Sequence, residues 1–181
     1  MKASLPGGGL LNPIKDCYII VPISNGKDVT IEMQSVPEIS DSKAATYSNE
    51  PILGRSQPQK TFSHSEDRII SMQIQRFTIS PDDTYENIII LRALESAVYP
   101  RDGVGDAPFL PPVVCKIKCG RQLADNELCV VLRNYDVKFP TDVAWDETTL
   151  LPYRIDISLT WETVYTSRDL PGQDKILGSG G

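Results

Sequence analysis

Histidine occurs once in this chain, at position 64, and no window approaches the ~18 consecutive apolar residues that cross a bilayer as a helix. No membrane insertion by this chain is expected. Clustered Lys and Arg are also missing: 18 basic residues against 24 acidic ones leave a net charge of −6, the wrong balance for a protein that grips phosphate. Paired CxxC knuckles, a P-loop, HExxH, a dinucleotide glycine motif and a nucleophile elbow are all absent, which removes the common routes to metal, nucleotide and acyl-transfer chemistry. Met1 to Gly9 has neither the basic start nor the apolar run of a secretory leader, so synthesis in a cytoplasm is expected. What is present, 40% hydrophobic and 23% charged residues over 181 positions, suits a single folded domain.

The four cysteines are 17, 115, 119 and 129. Cys115 and Cys119 share the apolar face of an alternating stretch with Val113 and Ile117. Residues four apart on a strand lie roughly 13 Å from each other, too far for one zinc ion. A cytoplasmic chain also disfavours disulfides, so buried structural thiols are expected, with no metal and no cofactor. His64 lies between Ser63 and Ser65 with Asp67 beyond, but triad members come from converging segments rather than from one run. Asp142, Asp146 and Glu147 fall in a turn, where solvation is the ordinary use of a carboxylate. The chain is expected not to be an enzyme.

Alternation organises the rest. Tyr153, Ile155, Ile157, Leu159 and Trp161 occupy every second position of one long strand, a period that no helix accommodates. Cys17 to Ile23, the Asn25-Gly26 turn and the alternating Val29, Ile31 and Met33 read as a first hairpin. Ile70, Met72 and Ile74 mark a strand over 68–78, and Glu127 to Phe139 another, with Leu128 to Leu132 apolar enough to be buried on both faces. Between them stands one helix, about 80–99: Ser80 caps it, Pro81 opens it, Asp83 reaches back, and Ile90, Leu91, Leu94, Ala97 and Val98 make its inward stripe. Ile88 and Ile89 widen that surface. The polar, proline-bearing stretch 36–67 reads as a long arm rather than as part of the core. Domain organisation follows: a flexible lead over 1–15, one domain over 16–168, and a polar tail over 169–181.

Three sequence words stand in the arm: Ile39-Ser40-Asp41-Ser42-Lys43-Ala44-Ala45-Thr46-Tyr47, then Ile52-Leu53-Gly54-Arg55-Ser56-Gln57-Pro58, then Phe62-Ser63-His64-Ser65-Glu66-Asp67-Arg68. They run into the strand and helix ending at Ala97-Val98-Tyr99-Pro100-Arg101, followed by Pro111-Pro112-Val113-Val114 and the Tyr153-to-Trp161 strand. In order and spacing this resembles the baseplate-hub and tail-tube-fold proteins of contractile-tailed bacteriophages and related injection systems, over most of residues 16–168.

The resemblance implies an α+β, mostly β fold: a tail-tube-like β-barrel or sandwich with one flanking helix and the 36–67 arm. It implies a structural virion protein of the tail baseplate, assembled in the host cytoplasm, that joins other copies in a hexameric ring. That ring would connect the spike hub to the tail tube and contact neighbouring tube and hub proteins, while DNA passes the channel without specific binding. Some relatives carry a LysM module, for which nothing after Trp161 leaves room, so direct cell-wall binding is not expected. A monomer in isolation and a ring only with partners is expected. Candidate interface residues are Ile52, Leu53, Arg55, Ile89, Arg92 and Arg101. The alternatives are a tail tube or terminator subunit, and a monomeric β-rich module that binds a glycan or protein with Trp145 and Trp161 as stacking residues, although Trp161 continues the inward register of its strand and suits core packing better.

Overall fold

The structure, a computed structural model, describes residues 14, 16–23, 27–54, 56–102, 109–124 and 126–165. In chain order the elements are β1 (Cys17–Ile23), β2 (Lys27–Glu32), β3 (Glu38–Ser42), β4 (Ala45–Glu50), β5 (Gln59–Ser65), β6 (Ile69–Phe77), α1 (Pro81–Ser96), β7 (Arg101–Asp102), β8 (Phe109–Leu110), β9 (Cys115–Cys119), β10 (Leu128–Lys138) and β11 (Arg154–Thr163). The fold is α+β and mostly β. Seven strands form one antiparallel sheet in the order β2-β1-β9-β10-β11-β6-β3, while β4 pairs with β5 and β7 with β8 in two separate ribbons.

A closed barrel is not what these strands make. β2 and β3 are the two edges of an open sheet, yet only residues 33–37 connect them. Six residue steps reach at most ~20–22 Å, whereas six flat interstrand spacings would span ~28–29 Å, so the sheet has to curl. The curl is pinned at one corner by side chains. Gln34 accepts from the Phe77 backbone N–H at 2.7 Å and donates to the Phe77 carbonyl at 3.3 Å, and Arg76 Nη1 donates to the Glu32 carbonyl at 2.9 Å. The end of β2 thus meets the end of β6 without forming a ladder.

The core fills the inside of this curl. Ile19, Val21, Ile31, Ile70, Ile74, Ile117, Val130, Ile157 and Leu159 come from the sheet, Ile90 and Leu94 from α1, and Ala97 from its C-cap. The long alternating strand behaves as expected from Ile155 to Trp161, with Trp161 fully buried; Tyr153 is exposed, because β11 begins only at Arg154. α1 has the predicted cap: Asp83 N–H bonds to Ser80 Oγ at 3.4 Å, and Asp83 Oδ2 accepts from Ser80 N–H at 2.8 Å. Leu91 and Val98 pack at its margin, and Ile89 faces out.

Two expectations fail. Leu128 to Leu132 is not buried on both faces: Cys129 is exposed and Val131 half-buried, since only one side of β10 is covered. The 36–67 arm is not a loop either, because β3 joins the main sheet against β6 and β4–β5 is a hairpin. The Asn25-Gly26 turn, most of the 1–15 lead and the 169–181 tail lie outside the described residues. Among the described residues, no helix is long and apolar enough to cross a membrane.

Candidate assembly surface

The hairpin β4–β5 is exposed along nearly all of both strands. Its strands alternate small and polar residues, so backbone pairing rather than burial holds them; only Thr46 is partly shielded. Large rings nonetheless stand on it. Tyr47 and Phe62 face each other across the ladder in an edge-to-face pair, centroids 5.7 Å apart and planes at 72°, each about half exposed (54% and 55%). At the tip Leu53 is fully exposed and Ile52 is 40% exposed. Gly54 has φ +87, a backbone conformation that favours glycine, which lets the chain reverse there.

The root of the hairpin is fixed by charge. Arg68 Nε donates to both Asp41 oxygens at 2.9 and 3.1 Å, and its Nη2 donates to Asp41 Oδ2 at 2.5 Å and to the Leu123 carbonyl at 2.9 Å. One side chain thus joins β3, the start of β6 and the β9–β10 connection. The guanidinium holds the Asp41 carboxyl below its ordinary range. Beside it, Thr46 Oγ1 donates to Glu66 Oε1 at 2.8 Å, and Glu66 N–H reaches the Ala44 carbonyl at 2.9 Å.

Over β6 and β11 the sheet face turned away from α1 is polar. Ser71, Gln73 and Gln75 on β6 stand beside Asp156, Ser158 and Thr160 on β11. A groove of about 420 Å³ runs over it, bounded by Glu38, Gln73, Gln75, Asp136, Lys138 and Asp156. Its cation is one lysine among three carboxylates. A second groove, about 350 Å³, lies where the start of α1 meets the 141–153 turn, with Tyr85 and Tyr153 flanking Asp146. Asp146 accepts from the Thr149 hydroxyl at 2.5 Å and from the Thr148 N–H at 3.0 Å, which holds its carboxyl below the usual range.

The interface candidates fall in three places. Ile52 and Leu53 are on the hairpin tip, and Arg55 lies outside the described residues. Ile89 and Arg92 sit one turn apart on the exposed side of α1, where Tyr85 continues the stripe. Arg101 is on β7, its Nε donating to the Pro111 carbonyl at 3.2 Å. No contact within the monomer brings these groups together among the described residues. Sequence reasoning missed the Tyr47–Phe62 pair and the Arg68–Asp41 clamp; two aromatics in an otherwise polar arm were the available signal.

The Ser/His/Asp arrangement considered from the sequence does not take shape among the described residues. His64 is exposed on β5 opposite Thr46, with the Ser63 hydroxyl 3.1 Å from Nδ1, and among the described residues no carboxylate bonds to the ring. Among the described residues, no three His, Cys, Asp or Glu side chains gather as metal ligands would. The chain matches no protein-family model and no curated protein sequence.

Proposed function

We propose that this protein is a ring-forming structural subunit of a phage-type tail, placed where the baseplate hub meets the tail tube. The observation that carries the reading is the β4–β5 hairpin: a projecting ribbon with paired aromatics and an uncovered Leu53 gains free energy when a second surface covers it. Long exposed strands are also an association hazard that a closed ring resolves by using them. The exposed α1 stripe Tyr85, Ile89 and Arg92 supplies an apolar surface with a charged end of the kind such a ribbon covers.

The polar sheet face supports a channel role for the same ring. Its β6 and β11 centre is Ser, Thr, Gln and Asp, and the groove over it sets one lysine against three carboxylates. The face's other cations Lys116, Arg133 and Arg154 stand in ion pairs with Glu127, Glu162 and Asp156; unpaired positive charge that would hold passing DNA is thus scarce there. The barrel implied by the family resemblance belongs to this proposal too, as curled sheets completed by neighbours across their open edges.

The test is co-expression with the other tail proteins of the same particle, followed by mass photometry. The wild-type chain should enter ring-sized assemblies, and a Tyr47→Ser/Phe62→Ser variant should stay monomeric. Equal assembly of both would remove the hairpin from the account. The second reading, a monomeric glycan-binding module, is favoured only by the groove that Tyr85, Tyr153 and Asp146 line. Glycan-array binding by the isolated chain would support it.

A further inference from the structure

Cys17 and Cys119 are 102 positions apart in sequence and face each other directly across the β1–β9 ladder, with sulfur atoms 2.9 Å apart inside the core. The flanking hydrogen bond, from Gly120 N–H to the Asp16 carbonyl at 2.7 Å, joins the residue before one cysteine to the residue after the other. That placement marks them as a non-hydrogen-bonded antiparallel pair, the kind whose Cα atoms approach to ~4.5 Å. Disulfides span Cα separations of ~4.4–6.8 Å, so no backbone movement is needed to join them.

We infer that Cys17 and Cys119 form a redox site: in the folded chain they are converted to an intramolecular disulfide by a low-molecular-weight disulfide such as oxidised glutathione. The Cys17 thiolate attacks one glutathione sulfur and expels a glutathione thiolate. The Cys119 thiolate then attacks the Cys17 sulfur of that mixed disulfide and expels the second. Two protein thiols and one glutathione disulfide become one protein disulfide and two reduced glutathiones, which carry the two protons.

The position of the pair controls access. β1 begins at Cys17 and β9 ends at Cys119, each beside a residue with positive φ, Asp16 at +60° and Gly120 at +53°. Opening of this ladder end exposes both sulfurs while the centre of the sheet stays paired. Burial and the neighbouring thiol push Cys17 up, so its thiolate forms, and the pair reacts, through that opening. The other cysteines do not compete: Cys115 is four positions along the same strand, roughly 13 Å away, and Cys129 is on the opposite, exposed face of β10. The inference does not rest on the assembly reading.

The test uses the full chain as a Cys129→Ser variant, incubated at mildly alkaline pH over a series of reduced-to-oxidised glutathione ratios, then alkylated, digested and mapped by mass spectrometry. The expected product lacks two hydrogens, yields one cross-linked peptide pair containing Cys17 and Cys119, leaves Cys115 alkylatable after unfolding, and melts roughly 4–10 °C higher than the reduced chain. The same incubation in urea should instead scatter the pairing among the cysteines. Cys17 and Cys119 both alkylatable at every ratio, glutathione adducts alone, or the same mixture of pairings in native buffer and in urea would each overturn the inference.

Discussion

Arg76 on β6 donates from Nε to Asn87 Oδ1 on α1 at 3.0 Å, and this bond joins the sheet to the helix inside the core, where Arg76 is 2% and Asn87 1% exposed. The rest of the guanidinium is shared between the Glu32 carbonyl and Glu86, 3.4 Å away, while Asn87 Nδ2 donates to Thr78 Oγ1 at 3.0 Å. Burial outweighs the ion pair for both charges: the Arg76 pKa is lowered and that of Glu86 raised. The network therefore specifies where α1 sits more than it adds stability.

Breaking one member should consequently cost more than replacing the charge. Asn87→Ala leaves a guanidinium donor unpaired in the core and removes the bond to the half-buried Thr78 hydroxyl, and should lower unfolding free energy by about 2–4 kcal/mol. Arg76→Met, which keeps volume and removes the charge, should cost less than Arg76→Ala. Urea titration of the three variants separates these outcomes.

Arg76 also shows where sequence reasoning stops. Period-two alternation made β6 and β11 legible, and cap chemistry made α1 legible, because both patterns follow from which side faces the core. Arg76 continues the buried register of Ile70, Met72 and Ile74, but a charged residue in that register reads as the end of the apolar face until its partner is known. β3, β4 and β5 were illegible for another reason. Their Ser, Thr, Asn and Gln residues bury almost nothing, so pairing alone defines them, and pairing depends on partners remote in sequence. Cys129 was misplaced because an unbroken apolar run does not say that only one face will be covered.

The Arg68–Asp41 clamp gives a defined acid response. The Asp41 carboxyl titrates lower folded than unfolded, so its stabilisation is complete above the unfolded value of about 3.9 and is lost as pH falls through the folded value. Asp41→Asn should sit about 1–2 kcal/mol below wild type at neutral pH, and the two curves should converge as the carboxyl protonates. Denaturant titrations from pH 7 down to about 3 measure this. Glu86, raised by burial, contributes with the opposite sign, so the comparison has to be made against wild type at each pH.

The two tryptophans should be optically distinct. Trp161 is fully buried, with no hydrogen-bond partner on its Nε1 among the described residues, whereas Trp145 is 40% exposed. Trp145→Phe should leave a blue-shifted emission resistant to acrylamide. Quenching of that variant as strong as in the wild type would place Trp161 at the surface.

The hairpin aromatics should be nearly neutral for folding. Tyr47 and Phe62 touch each other rather than the main core, so the Tyr47→Ser/Phe62→Ser variant should unfold within about 1 kcal/mol of wild type, the scale of an isolated aromatic pair. Thermal melts of the isolated chain check this, and a large loss would mean that the hairpin serves the monomer's own stability.

The central claim is that the exposed ribbon and the polar sheet face belong to a ring. Negative-stain electron microscopy of the purified chain, alone and mixed with the tail proteins of the particle proposed for it, tests it most directly. The account predicts single particles alone, and rings or stacked tubes with an open channel in the mixture. A featureless monomer in every mixture would contradict it.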